Sequence, residues 1–356
     1  MKQGEESNLL CKITEACYIA SLPSLYRSIL SRFSDFSPSI TEMAGILPVI
    51  LTLIAVPLSM LMWAGNLAFS FISDDEGTNE VIPPVRWLAA TLIPLIMAAW
   101  ALKKKSLNKS GAFLGLFIGF ILTLSSWAFI GCLLTFFITS SRATKFRSGQ
   151  RNWVQVLCNS GMAVQLALFY ILDSGCGERP INFSQDYRAS WLSLGILGAI
   201  ACSNGDTWAS ELGPVLGSSQ PFLITTRKRV PKGTNGGVSW PGLLASAAGG
   251  AIIGLVHYLC LIYILDSVTI ERNPPQWPLI LAGVFGGFVG SLVDSFLGAT
   301  LQYSGLNKKT GVVVEHPGKD IVHISGRRLL DNHSVNLLSS IIMGLATPRF
   351  ANLFWP

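Results

Sequence analysis

Apolar and polar positions along the chain alternate in long blocks rather than at short intervals. A helix that crosses the hydrocarbon core of a bilayer needs roughly 20 apolar residues, or about 17 at the short end. Apolar runs of this kind recur from Gly45 onward and predict membrane spans at residues 44–72, 87–102, 111–139, 153–172, 189–202, 240–265, 279–301 and 334–346. The pattern therefore predicts an all-α, polytopic membrane bundle with about seven to nine membrane segments.

The run at residues 111–139 is long for one helix that rises 1.5 Å per residue, and it suits a tight or re-entrant pair of short helices. Positive charge concentrates in four loops, at residues 103–109, 142–151, 227–232 and 308–328. Because cytoplasmic loops are enriched in Lys and Arg, we expect all four in the cytosol, with the N-terminus. The loops on either side of residues 111–139 can both be cytosolic only if this run crosses the membrane an even number of times.

Composition supports the same class of protein. The chain has 356 residues, of which 50% are hydrophobic and 13% charged, and its mean hydropathy is +0.48. A soluble domain carries about twice that charged fraction. We expect a cytosolic N-terminal segment at residues 1–44, which contains acidic residues unlike a cleaved signal, and one multi-pass domain at residues 45–356.

The net charge of +6 is explained by the basic loops, so nucleic-acid binding is not expected. None of the seven cysteines forms a C-x-x-C pair, and several lie inside apolar runs. They are therefore interpreted as small buried apolar residues rather than disulfides or metal ligands.

Candidate chemistry begins in "GDTWASELG", which follows the apolar run at residues 189–202. Asp206 and Glu211 do not share a helix face, whereas Asp206 and Ser210 can face one site. Two interpretations stay open: Asp206 caps the N-terminus of a short helix that runs to Leu212, or Asp206 belongs to a polar site. Asp294 favours a site, because an acid deep inside an apolar span is costly and usually functional.

Asp294 lies on a ridge of small residues, with Gly286, Gly290 and Gly298 at steps of four and with Gly283 and Gly287 beside them. Such a ridge lets another helix, or a substrate phosphate, approach the backbone closely. For the glycines alone, helix packing is the preferred interpretation.

The glycine-rich loop "KGTNGGVSWPG" follows a basic run and precedes a helix that is expected to begin near Ser239. Exposed N–H groups beside Lys232 would suit an anion, although an ordinary turn is the commoner explanation. Among the amides, Gln155 and Asn159 are interpreted mainly as contacts between helices. Asn332, next to Asp331 and a basic loop, is interpreted as a site residue.

Taken together, these residues suit chemistry on phosphates. Carboxylates at Asp206, Glu211, Asp294 and Asp331 are hard oxygen ligands for Mg²⁺. Basic residues for an anion are Lys104, Lys105, Lys145, Arg227, Lys228, Arg229 and Lys232. The set favours phosphoryl or nucleotidyl transfer to a lipid. The alternative is a non-enzymatic transporter or membrane scaffold in which Asp294 binds a proton or is structural.

Several motifs combine into a family resemblance. "LKKKSLNKSGAFLG", "GQRNWVQVLCN", "GDTWASELGPVL", "GTNGGVS", "GSLVDSFLGATLQY" and "LDNHSVNLLSS" together resemble the transmembrane protein 19 family over most of the chain. The wider family includes plant phytyl-phosphate kinases, which are similar to polyprenol and dolichol kinases. The resemblance implies transfer of a phosphoryl group from a nucleoside triphosphate to an isoprenoid monophosphate.

The resemblance also implies roles for residues at matching positions. Asp206 and Asp294 would hold Mg²⁺, with Glu211 in support. The triphosphate would lie against Arg227, Lys228, Lys232, Asn235, Gly236 and Gly237, and Asn332 and Asn336 would orient the nucleotide or phosphate. The chain departs from the family pattern in its short loop at residues 142–151 and in His333, where Asn is more usual. An intracellular membrane, such as the endoplasmic reticulum, is the expected location.

Overall fold

The computed structural model describes residues 57–68, 82–143, 150–217 and 219–355. These residues belong to one compact unit, Leu51–Pro356. The predicted cytosolic segment at residues 1–44, the acidic loop at 74–80 and most of the loop at 142–151 lie outside the described residues.

Helices dominate the described residues. Residues 57–68 are helical. The helices that follow are α1 (Pro84–Lys103), α2 (Lys109–Ser125), α3 (Trp127–Ala143), α4 (Trp153–Ser174), α5 (Tyr187–Leu216), α6 (Trp240–Ile264), α7 (Ser267–Arg272), α8 (Pro278–Leu301) and α9 (Asn332–Asn352). By length and composition α1, α4, α6 and α8 can cross a membrane, and α2 and α3 are shorter apolar helices. The prediction of a polytopic helical membrane protein is confirmed.

The long apolar run at residues 111–139 is two helices, as its length predicted. The break falls at Ser126, whose backbone is extended (φ −163°, ψ 144°). Buried polar groups stabilise the break. Glu178 Oε1 accepts the N–H of Trp127 at 2.7 Å, and Arg86 Nη1 donates to the carbonyl of Ser125 at 3.3 Å. Arg86 and Glu178 also form an ion pair of 2.7 Å.

Two of the predicted basic loops, at residues 227–232 and 308–328, lie within segments that contain small β-sheets. Strand β1 (Phe222–Leu223) pairs antiparallel with β2 (Gly237–Val238). Strand β3 (Ser304–Asn307) pairs antiparallel with both β4 (Val313–Val314) and β5 (Ile321–Ser325). The membrane part is helical as predicted, and these short strands order the connections.

The described parts of the four basic loops lie at one end of the bundle. The N–H of Asn108 donates to the carbonyl of Arg151 at 3.0 Å. Lys232 Nζ donates to the carbonyl of Gly217 at 2.8 Å, and the N–H of Asn235 donates to Ser304 Oγ at 3.1 Å. We call this end, formed by residues 103–109, 151, 227–232 and 304–330, the basic end. It agrees with the predicted grouping of these loops.

Helix α5 is longer than the span predicted at residues 189–202, because it continues through "SNGDTWASELG" to Leu216. Every residue from 193 to 205 is buried, so neighbouring helices rather than lipid surround this part. Polar side chains within it bond back to the helix: Ser203 Oγ donates to the carbonyl of Ala199 at 3.2 Å, and Thr207 Oγ1 to that of Ser203 at 2.8 Å. Asp206 therefore lies inside a helix, and its interpretation as an N-cap was wrong.

Glycines bring α5, α6 and α8 into backbone contact. A Cβ atom added at Gly205 would lie 2.6 Å from Gly287 Cα, and one added at Gly287 would lie 2.7 Å from Gly250 Cα. The ridge on α8 is thus covered by α5 and α6. Helix packing, the preferred interpretation of these glycines, is what the structure shows.

Gly287→Ala should destabilise the bundle by about 1–3 kcal/mol, the usual cost of overpacking a well-packed core. Its new methyl group would lie 2.6 Å from the carbonyl oxygen of Ser246, a backbone atom that cannot rotate away. Thermal unfolding of the purified protein in detergent measures the loss. The control is Gly161→Ala, where the nearest atom is a leucine methyl at 3.4 Å. Equal stability of the two variants would contradict this packing.

Candidate functional site

Asp206 on α5 and Asp294 on α8 approach each other at the interface of the two helices. Ser291 Oγ, one turn before Asp294, donates to Asp206 Oδ1 at 3.5 Å. Cys202, one turn before Asp206, lies against Gly290, one turn before Asp294. The two carboxyl groups are close enough to interact electrostatically. We call Asp206 and Asp294 the acidic pair.

Helix α9 completes the surroundings of the acidic pair. Ser339 Oγ lies 3.1 Å from Asp294 Oδ2 and 3.0 Å from the carbonyl oxygen of Asn336. Asp206 and Asp294 are each partly buried, so the place where they meet is not sealed inside the bundle. Three helices that are far apart in sequence thus place hydroxyl and carboxylate oxygens around one point.

The acidic pair suits a divalent cation that is bound partly by the protein and partly by a substrate. In the described part of the chain, no lysine or arginine forms an ion pair with either carboxylate. Half-buried like charges without a counter-ion are costly, and a cation between them removes that cost. The described residues contain no cluster of three or more His, Cys, Asp or Glu side chains. Two carboxylates are the set with which Mg²⁺ binds substrate phosphates, and are too few for a closed Zn²⁺ site.

Amide and hydroxyl groups link α4 and α9 to the helix of Asp206. Asn336 Nδ2 donates to Asn159 Oδ1 at 3.2 Å, and Ser203 Oγ donates to the carbonyl of Asn159 at 2.8 Å. Asn159 is therefore a contact between helices, as expected. Asn336 lies one turn before Ser339, so it supports the wall that holds Asp294. Gln155, by contrast, closes a capping box with Asn152 at the start of α4.

A buried network beside Asp206 was missed in the sequence. Asn204 is fully buried; its Nδ2 donates to the carbonyl of Gly249 at 2.7 Å, and its Oδ1 accepts from Thr139 Oγ1 at 3.0 Å. Trp208 Nε1 donates to the same hydroxyl at 3.3 Å. In the sequence, the position of Asn204 directly after the apolar run at residues 189–202 could have indicated this network. The network fixes α5 against α3 and α6 and so fixes the position of Asp206.

Glu211 lies apart from the acidic pair and closer to Arg151. Burial lowers the pKa of Arg151, and the negative charge of Glu211 raises it, so the two side chains interact. The backbone of Arg151 is fixed by hydrogen bonds to Ser106 and Asn108. The negative charge of Glu211 therefore acts on Arg151, and no contact of Glu211 with either carboxylate is seen among the described residues.

The glycine-rich loop packs on α8, and two of its N–H groups already donate to acceptors within the protein. The N–H of Gly237 donates to the carbonyl of Thr234 at 2.9 Å, and that of Asn235 donates to Ser304. Gly236 has φ +77°, and a Cβ there would lie 2.5 Å from the carbonyl oxygen of Ser295. The N–H groups of Asn235 and Gly237 are thus used within the protein, and the role predicted for this loop in binding a phosphate stays a prediction.

The basic residues predicted to bind the triphosphate divide into two groups. Lys232 Nζ donates to the carbonyls of Pro214 and Gly217, so it caps the C-terminus of α5. Arg227 and Lys228 are exposed at the tip of the β1–β2 connection. The structure leaves these two side chains in solvent at the basic end.

Asn332 and Asp331 lie at the start of α9. Asn332 is exposed and precedes Ser339 by two turns, about 10 Å along the helix axis. Asp331 caps the helix, accepting the N–H of Ser334 at 2.9 Å and also its hydroxyl. The structure thus makes Asp331 a helix cap rather than a member of the acidic pair.

Asp331→Ala should cost about 0.5–1 kcal/mol of stability at neutral pH, as loss of an exposed N-cap does. Hydrogen bonds from Ser334 lower the pKa of Asp331 in the folded protein. A lowered folded pKa stabilises the protein above the ordinary Asp range, and the effect disappears as pH falls through the folded pKa. Unfolding midpoints of both proteins, measured from pH 7 down to about pH 3, should converge. A difference that grows on acidification would contradict the cap.

Comparison with known proteins shows which family this chain belongs to. Residues 92–344 match the family described as integral membrane protein DUF92, which is well over half of the chain. The chain belongs to this family. The matched DUF92 segment contains both members of the acidic pair, the network at Asn204 and the wall formed by Ser339.

Proteins similar to this chain include members from a plant, an archaeon and a cyanobacterium. Protein PGR of Arabidopsis thaliana is 40% identical over 281 residues, which are 75% of this chain and 97% of that protein. An uncharacterized membrane protein of Methanocaldococcus jannaschii is 27% identical over 272 residues, 73% of this chain and 92% of that protein. Protein VTE6, chloroplastic, of Arabidopsis thaliana is 28% identical over 211 residues, 55% of this chain and 56% of that protein. No solved structure matches the chain.

Proposed function

We propose that this DUF92 protein is of the transmembrane protein 19 type and transfers a phosphoryl group from a nucleoside triphosphate to an isoprenoid monophosphate. The observation that carries the proposal is the acidic pair. Two half-buried carboxylates from α5 and α8 meet without a lysine or arginine counter-ion among the described residues. Such a pair is suited to a divalent cation with bound phosphates.

The residues of the site would position the reacting groups and neutralise charge. None of them would form a covalent bond to the transferred phosphoryl group. Mg²⁺, when bound, would neutralise charge on the phosphates. Asp206 and Asp294 would hold it, and Ser291 and Ser339 would fix the orientation of the two carboxylates through their hydrogen bonds. Phosphoryl transfer depends mostly on such positioning and charge neutralisation.

The acceptor explains why the site needs no separate base. A lipid monophosphate is already ionised at neutral pH, so its oxygen can attack the γ-phosphorus without losing a proton to the protein. A phosphate oxygen forms the new P–O bond, and the nucleoside diphosphate leaves.

The basic end supports the location of the donor. Arg227 and Lys228 are exposed there and would attract an anionic nucleotide from solution. The positive-inside rule puts this end in the cytosol, where nucleotides are available. We place the protein in an intracellular membrane, such as the endoplasmic reticulum. The motif resemblance to phytyl-phosphate kinases supports the same reaction.

The proposal is tested with purified protein in detergent or vesicles. Farnesyl, geranylgeranyl and phytyl monophosphate are each supplied with Mg²⁺ and each nucleoside triphosphate, and products are separated by mass. We expect an isoprenoid diphosphate from at least one combination, with loss of product when EDTA is added. Absence of diphosphate from every combination, with folded protein, would overturn the proposal in favour of a transporter or scaffold.

A further inference from the structure

An apolar crevice lies among α1, α2, α3 and α4. Its cavity volume is about 80 Å³, and the space not filled by atoms rises to about 700 Å³ when the open mouth is included. Its walls are almost entirely aliphatic and aromatic, with Pro94, Ile118, Leu134 and Phe137 among them. Half-buried side chains at its rim show that it opens to the outside of the bundle.

All polar groups of the crevice lie along one edge. They are Arg151, Gln155, Asn159 and Ser160, from the start of α4 and the residue before it. Arg151 is half-buried there, and its Nη1 donates to Ser140 Oγ at 3.1 Å. A guanidinium held at the polar edge of an apolar crevice matches a molecule with a long apolar chain and one anionic end.

A series of hydrogen bonds leads from the polar edge of the crevice toward the acidic pair. Asn159 accepts from Asn336, and Asn336 lies one turn before Ser339, whose hydroxyl contacts Asp294. Ser203, one turn before Thr207 on the helix of Asp206, donates to the carbonyl of Asn159. Asn159, at the polar edge of the crevice, is therefore linked through α9 and α5 to the two helices and side chains that hold the carboxylates.

We propose that this crevice binds the isoprenoid chain of the lipid monophosphate, with Arg151 at its polar edge contacting the phosphate. The inference rests on the proposed function for the reaction that follows, but the binding itself does not require turnover. An ordinary bilayer lipid is the competing occupant, and it differs by lacking an exposed terminal monophosphate. The crevice then sets which chain lengths are accepted, while the acidic pair performs the transfer.

Gly115 offers a way to fill the crevice without disturbing its walls. A Cβ there meets only a leucine methyl at 3.8 Å, so Gly115→Leu can extend a side chain from this wall of the crevice without a clash at Cβ. The matched control is Gly65→Leu, at an exposed helical glycine with nothing within 4 Å. Photolabelling uses a diazirine-bearing farnesyl monophosphate, with labelled peptides identified by mass. We expect label in α2 and α3, and a decrease of about 10-fold in Gly115→Leu but not in Gly65→Leu.

A second variant tests the phosphate contact. Arg151→Gln should weaken labelling by the farnesyl monophosphate probe while leaving labelling by the matching diazirine-bearing farnesol unchanged. Thermal unfolding confirms that Arg151→Gln is folded. If both probes label equally and respond equally to Arg151→Gln, the crevice takes any bilayer chain and the inference is overturned. Label that maps to α6 or α8 instead overturns it as well.

Failure of this inference and failure of the proposed function give different results. Diphosphate formation that Gly115→Leu leaves unchanged, without label in the crevice, overturns the crevice and keeps the reaction. Phosphate-dependent label in the crevice without diphosphate formation keeps the lipid-phosphate site and overturns the reaction.

Discussion

Asp294→Asn and Asp206→Asn should each lower the rate of isoprenoid diphosphate formation by at least about 100-fold, the scale on which removal of one preorganised electrostatic group acts. Each substitution keeps the shape of the side chain and removes the charge that would hold Mg²⁺. Because the two carboxylates act as one unit, the double variant should be little worse than either single variant. Initial rates at saturating lipid and nucleotide measure the effect.

A matched control separates this effect from a general loss of charge. Asp266 is an exposed carboxylate that caps α7, away from the acidic pair, and Asn serves as well in a cap. Asp266→Asn should therefore retain full rate and stability. If Asp294→Asn turned over as fast as Asp266→Asn, Asp294 would have no place in the site.

Glu178→Ala should destabilise the folded protein by about 3–5 kcal/mol, because breaking a buried ion pair leaves an uncompensated charge. The side chains of Arg86 and Glu178 are only 9% and 5% exposed, and they are 2.7 Å apart. Glu178 also accepts the N–H that begins α3, and Arg86 lies over the ring of Trp127 at 5.5 Å. Thermal unfolding in detergent measures the loss.

The exposed pair of Arg188 and Asp173 provides the comparison. Its atoms lie 2.9 Å apart, but the Arg188 side chain is 79% exposed. Asp173→Ala should cost about 0–1 kcal/mol, as surface ion pairs do. Similar losses for Glu178→Ala and Asp173→Ala would show that the buried pair does not stabilise the break between α2 and α3.

The sequence predicted the parts of the fold that hydrophobic periodicity and loop charge control. The division of residues 111–139 into two helices followed from its length, and the packing role of the α8 glycines followed from their spacing. Asp294 stood out because an acid is costly in an apolar span. Its pairing with Asp206 was a hypothesis, and the structure brings the two side chains together.

Other features depend on contacts between distant residues, which a local pattern does not contain. Asp206 looked like a helix cap because polar residues follow an apolar run, yet α5 continues since its neighbours satisfy those polar groups. The ion pair of Arg86 and Glu178 joins residues 92 positions apart. The packing of the loop around Gly236 on α8, and the hydrogen bond from the Asn235 N–H to Ser304, likewise appear only in the folded chain.

The most direct measurement is the fate of the terminal phosphate of the nucleotide. Purified protein is given a nucleoside triphosphate labelled in its γ-phosphate together with unlabelled isoprenoid monophosphate and Mg²⁺. The account predicts that label appears in the distal phosphate of the isoprenoid diphosphate with wild-type protein, and not with Asp206→Asn or Asp294→Asn. Label that stays in the nucleotide or appears only as free phosphate, or equal transfer by all three proteins, would contradict it.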